Sequence, residues 1–240
     1  SGHIGAVGHH AMIAADNRMV GICLTAGGTL VLPTFAAETR TGTNPISLAA
    51  PSNTYPYFLF DAAMSSIAGN KVRLVARNGT KLSSGSIADN KGNPIMESVG
   101  IETSEDFIHI PPLLPLGGNR DQGSHKGYGL SLFVEILCTI LSGNVPNMID
   151  SEGNLCHFFA AFNIESFTEY TQFINNMDLM LSKLLDTPSI SESERVIYPG
   201  IMEFENEADR IKNGIPLHKE VVEWFDNISI EMDIDKISTF

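Results

Sequence analysis

The chain has 240 residues, 43% hydrophobic and 18% charged, with 28 acidic groups against 15 basic ones and a formal net charge of −13. That apolar share is enough to bury a core, in one large domain or two small ones, and argues against a disordered chain. The acidic balance argues against a sequence-independent grip on nucleic acid and against an anionic membrane surface, since both draw on Lys and Arg.

The chain opens Ser1-Gly2-His3 with no initiator Met and enters a Gly-rich apolar segment at once, which reads as the interior of a longer protein. Residues 6–17 predict a helix, with Met12, Ile13, Ala14 and Ala15 as its apolar bulk. Residues 19–25 then form a β-like run ending at Gly27-Gly28, and a helix followed by a buried apolar strand is an α/β signature. A polar turn over 39–45 leads to the apolar run 46–50, and 55–60 is the clearest strand, stopping at Asp61. The small residues of 62–68 are expected to open a helix, and 72–76 continue the apolar pattern before a polar stretch over 78–94. Glycines alternate with charged residues over 117–129. The run 130–141 follows, apolar on nearly every face apart from Glu135, which predicts a fully buried helix. Residues 158–162 resemble a central strand. Residues 167–185 are amphipathic at helical spacing, with Phe173, Met177, Met180, Leu181 and Leu184 on one stripe, as core or interface. Short surface helices are expected over 203–212 and 219–225.

Cys23, Cys138 and Cys156 are too few and too scattered for a disulfide framework or a thiolate metal site, and each sits in an apolar run. They read as buried free thiols, which fits a cytoplasmic address. No secretory signal opens the chain, and the run 130–141 is shorter than a membrane span. The protein reads as soluble. His3, His9 and His10 lack a second ligand pair at helical spacing, so no metal site is expected. There is no P-loop, no G-x-S-x-G elbow and no complete G-x-G-x-x-G.

Two segments could carry chemistry. Gly123-Ser124-His125-Lys126-Gly127-Tyr128-Gly129 reads as a flexible loop ahead of a buried helix, where backbone N–H groups and Lys126 make an anion site; the plainer reading is a Gly-rich turn with one exposed Lys. Phe58-Leu59-Phe60-Asp61 puts a carboxylate at a strand end, where ligands meet α/β sheets, or else Asp61 caps the segment that follows it. His3 adds an imidazole able to exchange a proton with a substrate hydroxyl, against the plainer reading of an ordinary His near a chain end.

Taken in order, these segments resemble the malate/L-lactate dehydrogenase family of NAD(P)-dependent oxidoreductases. Ser1-Gly2-His3-Ile4-Gly5 looks like the family's S-N/S-H-F-G, and Gly42-Thr43-Asn44-Pro45 its G-T-N-P. Asp61-Ala62-Ala63-Met64-Ser65 resembles D-M-A-T-S. Leu116-Gly117-Gly118 and Lys126-Gly127-Tyr128-Gly129-Leu130 resemble P-L-G-G and K-G-Y-G-L, while Tyr198-Pro199-Gly200 and Asn213-Gly214-Ile215 match late turns.

The resemblance implies an α/β fold around a mixed β-sheet with flanking helices, distinct from the Rossmann fold. It implies a homodimer, and hydride transfer between NAD or NADP and a small 2-hydroxy/2-keto acid. Residues 1–145 would be the main part of the nucleotide-binding domain and 146–240 a C-terminal part packed on it. By motif matching, His3, Asp61 and Lys126 are the catalytic candidates. Gly27, Asp61, Ala62, Ala63, His125, Lys126, Gly127, Lys212, Asn213 and Gly214 would contact the cofactor, and Thr43 and Asn44 would position substrate. The chain departs from the family in lacking its N-terminal segment, with a second catalytic His and a substrate-binding Arg, so a truncated chain is expected. Met64, Asn70, Phe35 and Ser86 also depart from the pattern. The competing expectation is a catalytically silent relative that keeps the dimer and nucleotide binding.

Overall fold

A computed structural model describes residues 2–101 and 110–236, so Ser1 of the first motif lies outside the described residues. Helix α1, Val7–Asp16, is followed by strands β1, Met19–Ala26, β2, Ile46–Ala50, and β3, Phe58–Ala62. Helix α2 is Gly69–Arg77, and a two-residue hairpin pairs β4, Lys81–Leu82, with β5, Val99–Gly100. Helix α3, Ser124–Glu135, runs on into a π turn, Ile136–Ile140, and then β6, Cys156–Asn163, and α4, Tyr170–Leu185.

The main sheet has the order β3-β2-β1-β6, and every pairing in it is antiparallel. It is sandwiched. On one face Cys23 and Ala49 meet Val7, Ala11 and Ala15 of α1. On the other, Leu24, Ala26 and Cys156 meet Val134 and Cys138. The alternation along β1 therefore serves two cores, and each large apolar side chain so buried stabilises the fold by about 1.5–3 kcal/mol. Gly21 lets α1 approach: a β-carbon there would lie 2.1 Å from the Ala11 carbonyl oxygen. A separate apolar cluster of Val31, Val72, Val75, Leu82, Ile87 and Leu113 holds α2 and the β4–β5 hairpin.

Several sequence expectations are corrected here. Residues 62–68 do not open a helix. They prolong β3 into contacts with residues 114–118, and α2 starts only at Gly69, taking up the apolar residues of 72–76. Among the described residues, the strand expected to be central, β6, is an edge strand of its sheet, because a Phe-rich run looks alike in both settings. The segment read as a loop before the buried helix is already helical from Ser124. That helix is not buried all round: Leu130, Phe133, Ile136, Ile140 and Leu141 face outward and are exposed.

The chain divides into two compact units at Pro199/Gly200, and β6 shares the first unit's sheet with β1. The second unit holds α5, Ile201–Asn213, and α6, Lys219–Met232, both longer than the sequence predicts. Within it, Gly200 at φ 101° opens α5 and Gly214 at φ 83° closes it. Helix α6 carries a Lys219–Glu223 ion pair at 3.4 Å. Among the described residues no helix is long and apolar enough to cross a membrane, and no group of three His, Cys, Asp or Glu side chains could hold a metal ion.

Candidate active site

Asp61 stands on β3 in a cross-strand row, opposite Ser47 of β2, which in turn faces Cys23 of β1. Its Oδ2 accepts the backbone N–H of Gly8, the second residue of α1, at 2.6 Å. Asp61 therefore does not cap the segment after it. It caps α1, the helix that follows His3, and puts a carboxylate against that helix's positive end. A β-carbon at Gly8 would lie 3.0 Å from Asp61 Oδ2, so Gly8 is what allows the approach. His3 is exposed on the irregular lead into α1, and its Nδ1 accepts the N–H of Gly5 at 3.0 Å.

Beyond Asp61 the chain continues through Ala62 and Ala63 to Met64, whose N–H donates to Thr43 O at 2.7 Å and whose carbonyl accepts Leu116 N–H at 2.9 Å. Ser66 N–H donates to Leu114 O, and Ser66 Oγ accepts Gly118 N–H at 3.1 Å. Gly127 of α3 rests on Leu116 in turn. One backbone relay thus gathers Thr43, Ala62, Ala63 and Gly127 at one corner of the first unit.

At the head of α3, Gly117, Gly118 and Gly123 take φ of 98°, 69° and 102°, the left-handed turn that delivers the chain into Ser124. Lys126 is exposed in the first helical turn, its stem lying along Gly123. His125 is exposed, and its Nδ1 faces Arg120 Nη1 at 2.6 Å. Desolvation lowers the His125 pKa, helped by the Arg120 and Lys126 charges, which keeps the imidazole neutral toward lower pH.

Other predicted residues fall differently. Asn44 is buried, and its side chain is fully used inside the protein: Oδ1 accepts Gly27 N–H at 3.3 Å, and Nδ2 donates to Ser131 O, Ser131 Oγ and Glu135 Oε1. No donor is left over for a substrate. Gly27 belongs to the same knot through that N–H, and it has no room for a side chain, since a β-carbon there would strike Leu155 Cδ2 at 2.0 Å. Lys212, Asn213 and Gly214 belong to the second unit, where they form the C-terminal end of α5.

Three groups were missed by sequence reasoning as site neighbours. Glu135 is buried and also accepts Thr139 Oγ1 at 3.1 Å; a lone carboxylate in an apolar run was its signal. His157 on β6 shares a hydrogen bond with Thr25 Oγ1 at 3.2 Å, and burial lowers its pKa. Rings of His157, Phe159 and His10 succeed one another at 6.3 and 5.7 Å; the i, i+2 spacing of the first two on β6 was the signal, while His10 joins them from α1. The third is a cavity of about 460 Å³ beside the head of α3, bordered by Phe35, Lys91, Arg120 and Ser124.

With this geometry in view, the sequence pattern of the malate/L-lactate dehydrogenase family matches residues 1–226, and the chain belongs to that family. A malate dehydrogenase of Pyrococcus abyssi is 39% identical over 235 residues, covering 95% of this chain and 63% of the relative. The solved malate dehydrogenase of Pyrococcus horikoshii superposes with a TM-score of 0.80 at 33% identity, over 99% of this chain and 64% of its own. That of Entamoeba histolytica gives 0.84 at 27% identity, over 97% and 66%. The chain thus spans about two thirds of the length of these relatives, and the fold is of their type.

Proposed function

We propose that this chain is the nucleotide-binding part of an NAD(P)-dependent oxidoreductase acting on a small 2-hydroxy/2-keto acid such as malate or lactate. The observation that carries the reading is the family match over residues 1–226, which takes in every candidate motif, together with relatives named malate dehydrogenase at 39% and 36% identity. The local chemistry fits a dinucleotide: a glycine-built turn, a helix start and an exposed Lys126 form a cationic spot in a chain of net charge −13. Three buried thiols agree with a cytoplasmic address.

A bound nicotinamide would supply or accept the hydride. Lys126 would pair with its phosphates, and Asp61, Ala62 and Ala63 would line its other side. His3 would meet the substrate oxygen. Its Nδ1 accepts Gly5 N–H, so the neutral ring carries its hydrogen on Nε2 and can hydrogen-bond a carbonyl oxygen. To deliver the proton that reduction of a keto acid requires, the ring must first be the imidazolium, with Nδ1 released from Gly5 and carrying a hydrogen, and it is left as neutral imidazole. For the reverse reaction Nε2 must take a proton, which requires the ring to release Gly5 and carry its hydrogen on Nδ1. Asn44 is better read as a positioning residue that fixes the corner beside Thr43. Lys212, Asn213 and Gly214 remain cofactor candidates on motif matching alone.

The proposal includes a homodimer. Its support is the outward stripe Leu130, Phe133, Ile136, Ile140 and Leu141, which carries no charge and so suits a second copy of an acidic chain. Phe133→Glu is expected to yield monomer in sedimentation experiments.

The main test is titration of the protein with NADH and NADPH by fluorescence, followed by turnover with malate, lactate and their keto acids. Lys126→Ala should weaken the dissociation constant by about 10- to 100-fold, the loss of one charge-assisted contact. Binding without turnover would favour the silent relative, and no binding at all would remove both nucleotide readings.

A further inference from the structure

The backbone on either side of His3 is held by another histidine. On one side the ring of His157, on β6, donates a hydrogen bond to the Gly2 backbone. That ring is aimed from β1: Thr25 faces His157 in the register of the two strands, and Thr25 Oγ1 lies 3.2 Å from His157 Nδ1. Burial lowers the His157 pKa, and a neutral imidazole has one acceptor and one donor. A ring that takes the Thr25 hydroxyl hydrogen on Nδ1 therefore has Nε2–H to give to Gly2. On the other side His10, in the first turn of α1, donates from Nε2 to the Ile4 carbonyl at 3.4 Å.

Phe159 stands between the two gripping rings. It follows His157 by two residues and so shares its face of β6, and its ring lies 6.3 Å from that of His157 and 5.7 Å, edge-on, from that of His10. The Ile4 side chain adds an anchor by packing against the cluster of Val7, Ala11 and Cys23. The lead needs such holds, because Gly2 and Gly5 give it little stiffness of its own and Gly5 sits at φ 82°. All of them act on the lead beside His3. The His3 ring makes a separate bond, from the Gly5 N–H to its Nδ1 at 3.0 Å.

We infer that His157 and His10 are positioning residues for His3, fixing its backbone against the sheet while leaving its ring able to change partners. The inference rests on the oxidoreductase reading, in which His3 meets the substrate oxygen. Proton transfer there requires the ring to let go of Gly5 and return to it. A side chain that turns about a fixed Cα does so without leaving the substrate, and a displacement of about 1 Å can cost about 100-fold in rate.

Backbone order parameters from 15N relaxation of the 240-residue chain test the grip. Ile4 and Gly5 should be as ordered as the sheet, at about 0.85; His157→Phe and His10→Phe should each drop them below about 0.6 while β1 and β2 stay rigid. His157→Gln, which keeps an N–H for Gly2, should restore most of the order. Thr25→Val removes only the hydroxyl that aims His157, should loosen the lead partway, and serves if His157→Phe does not fold. In turnover of a keto acid with NADH, His157→Phe should lower kcat about 10-fold or more with the NADH dissociation constant within about 2-fold of the parent's, and His157→Gln should recover most of the loss. A parent lead already below about 0.6, unchanged order in the Phe variants, or parent-like kcat in His157→Phe would overturn the assignment. If the lead is unmoved in a protein that turns over, only this inference falls. If the variants loosen the lead of a protein that neither binds NADH nor turns over, the oxidoreductase reading falls and the grip on His3 stands.

Discussion

Gly127 lies so close to Leu116 that a β-carbon on it would come within 2.3 Å of the Leu116 carbonyl oxygen and 2.7 Å of its nitrogen. Through this contact α3 is seated on the segment that pairs with Met64, three residues beyond Asp61. The two candidate segments are thereby held in one corner.

Gly127→Ala should therefore destabilise the protein by about 1–3 kcal/mol, because the obstacle is backbone that cannot swing aside. Gly129 offers a control in the same helix, for a β-carbon there meets nothing within 4 Å. Gly129→Ala should be neutral or gain up to about 1 kcal/mol from helix propensity. Urea unfolding of the two variants decides the matter, and an equal response would mean that the Leu116 approach is not tight.

Asn44 and Glu135 give a second prediction. Glu135 is a buried carboxylate whose partners include Asn44 Nδ2 at 2.9 Å and Thr139 Oγ1 at 3.1 Å. Removing the amide leaves a charged acceptor short of a donor, so Asn44→Ala should cost about 2–4 kcal/mol. Glu135→Gln, which keeps an acceptor and discards the charge, should cost less. If Asn44→Ala unfolds at the parent's urea midpoint, Glu135 draws its stabilisation from elsewhere.

The two-layered burial of β1 was legible because its apolar run is unbroken, and α1 because its residues keep helical spacing. The start of α3 was not. Three glycines and a cluster of charges look like loop when each residue is weighed by propensity, whereas Gly127 is needed for close approach and Ser124 is pinned to Thr34. The position of β6 at the edge could not be read, since its pairing with β1 spans well over a hundred residues. The motifs singled out Asp61 and Lys126 as candidates, but not the contacts they make. What Asp61 binds depends on Gly8, 53 residues away, and the fate of Asn44 depends on Glu135, 91 residues away. Distances of that order leave no local pattern.

Asp61 has a structural duty at Gly8 and a proposed one at the cofactor, and substitution can separate them. An Asn side chain still offers an oxygen to the Gly8 N–H, so Asp61→Asn should lose at most about 1 kcal/mol, while Asp61→Ala should lose about 1–2 kcal/mol. Under the oxidoreductase reading, Asp61→Asn nonetheless lowers kcat/KM by about 10-fold or more, because the charge is gone. Parent-like activity in the Asn variant would confine Asp61 to capping α1.

The thiols provide a test in the alkaline range. Burial, reinforced by the Asp61 charge, pushes the Cys23 thiol up to about 11, and burial with Glu135 nearby pushes Cys138 up to about 12. Both start from an ordinary value of 9.0, so above that pH the unfolded chain sheds protons that the folded chain retains. Stability is thus fully present below pH 9 and should decline as pH climbs toward the folded values of about 11 and 12. The thiolate is the reactive form, so neither thiol should react with a disulfide reagent in the native protein at pH 8, whereas both should react at once in denaturant. Cys23→Ser and Cys138→Ser, made together, should flatten the alkaline decline. A native protein that consumes reagent rapidly at these positions would show that the sheet's two cores open far more readily than their packing implies.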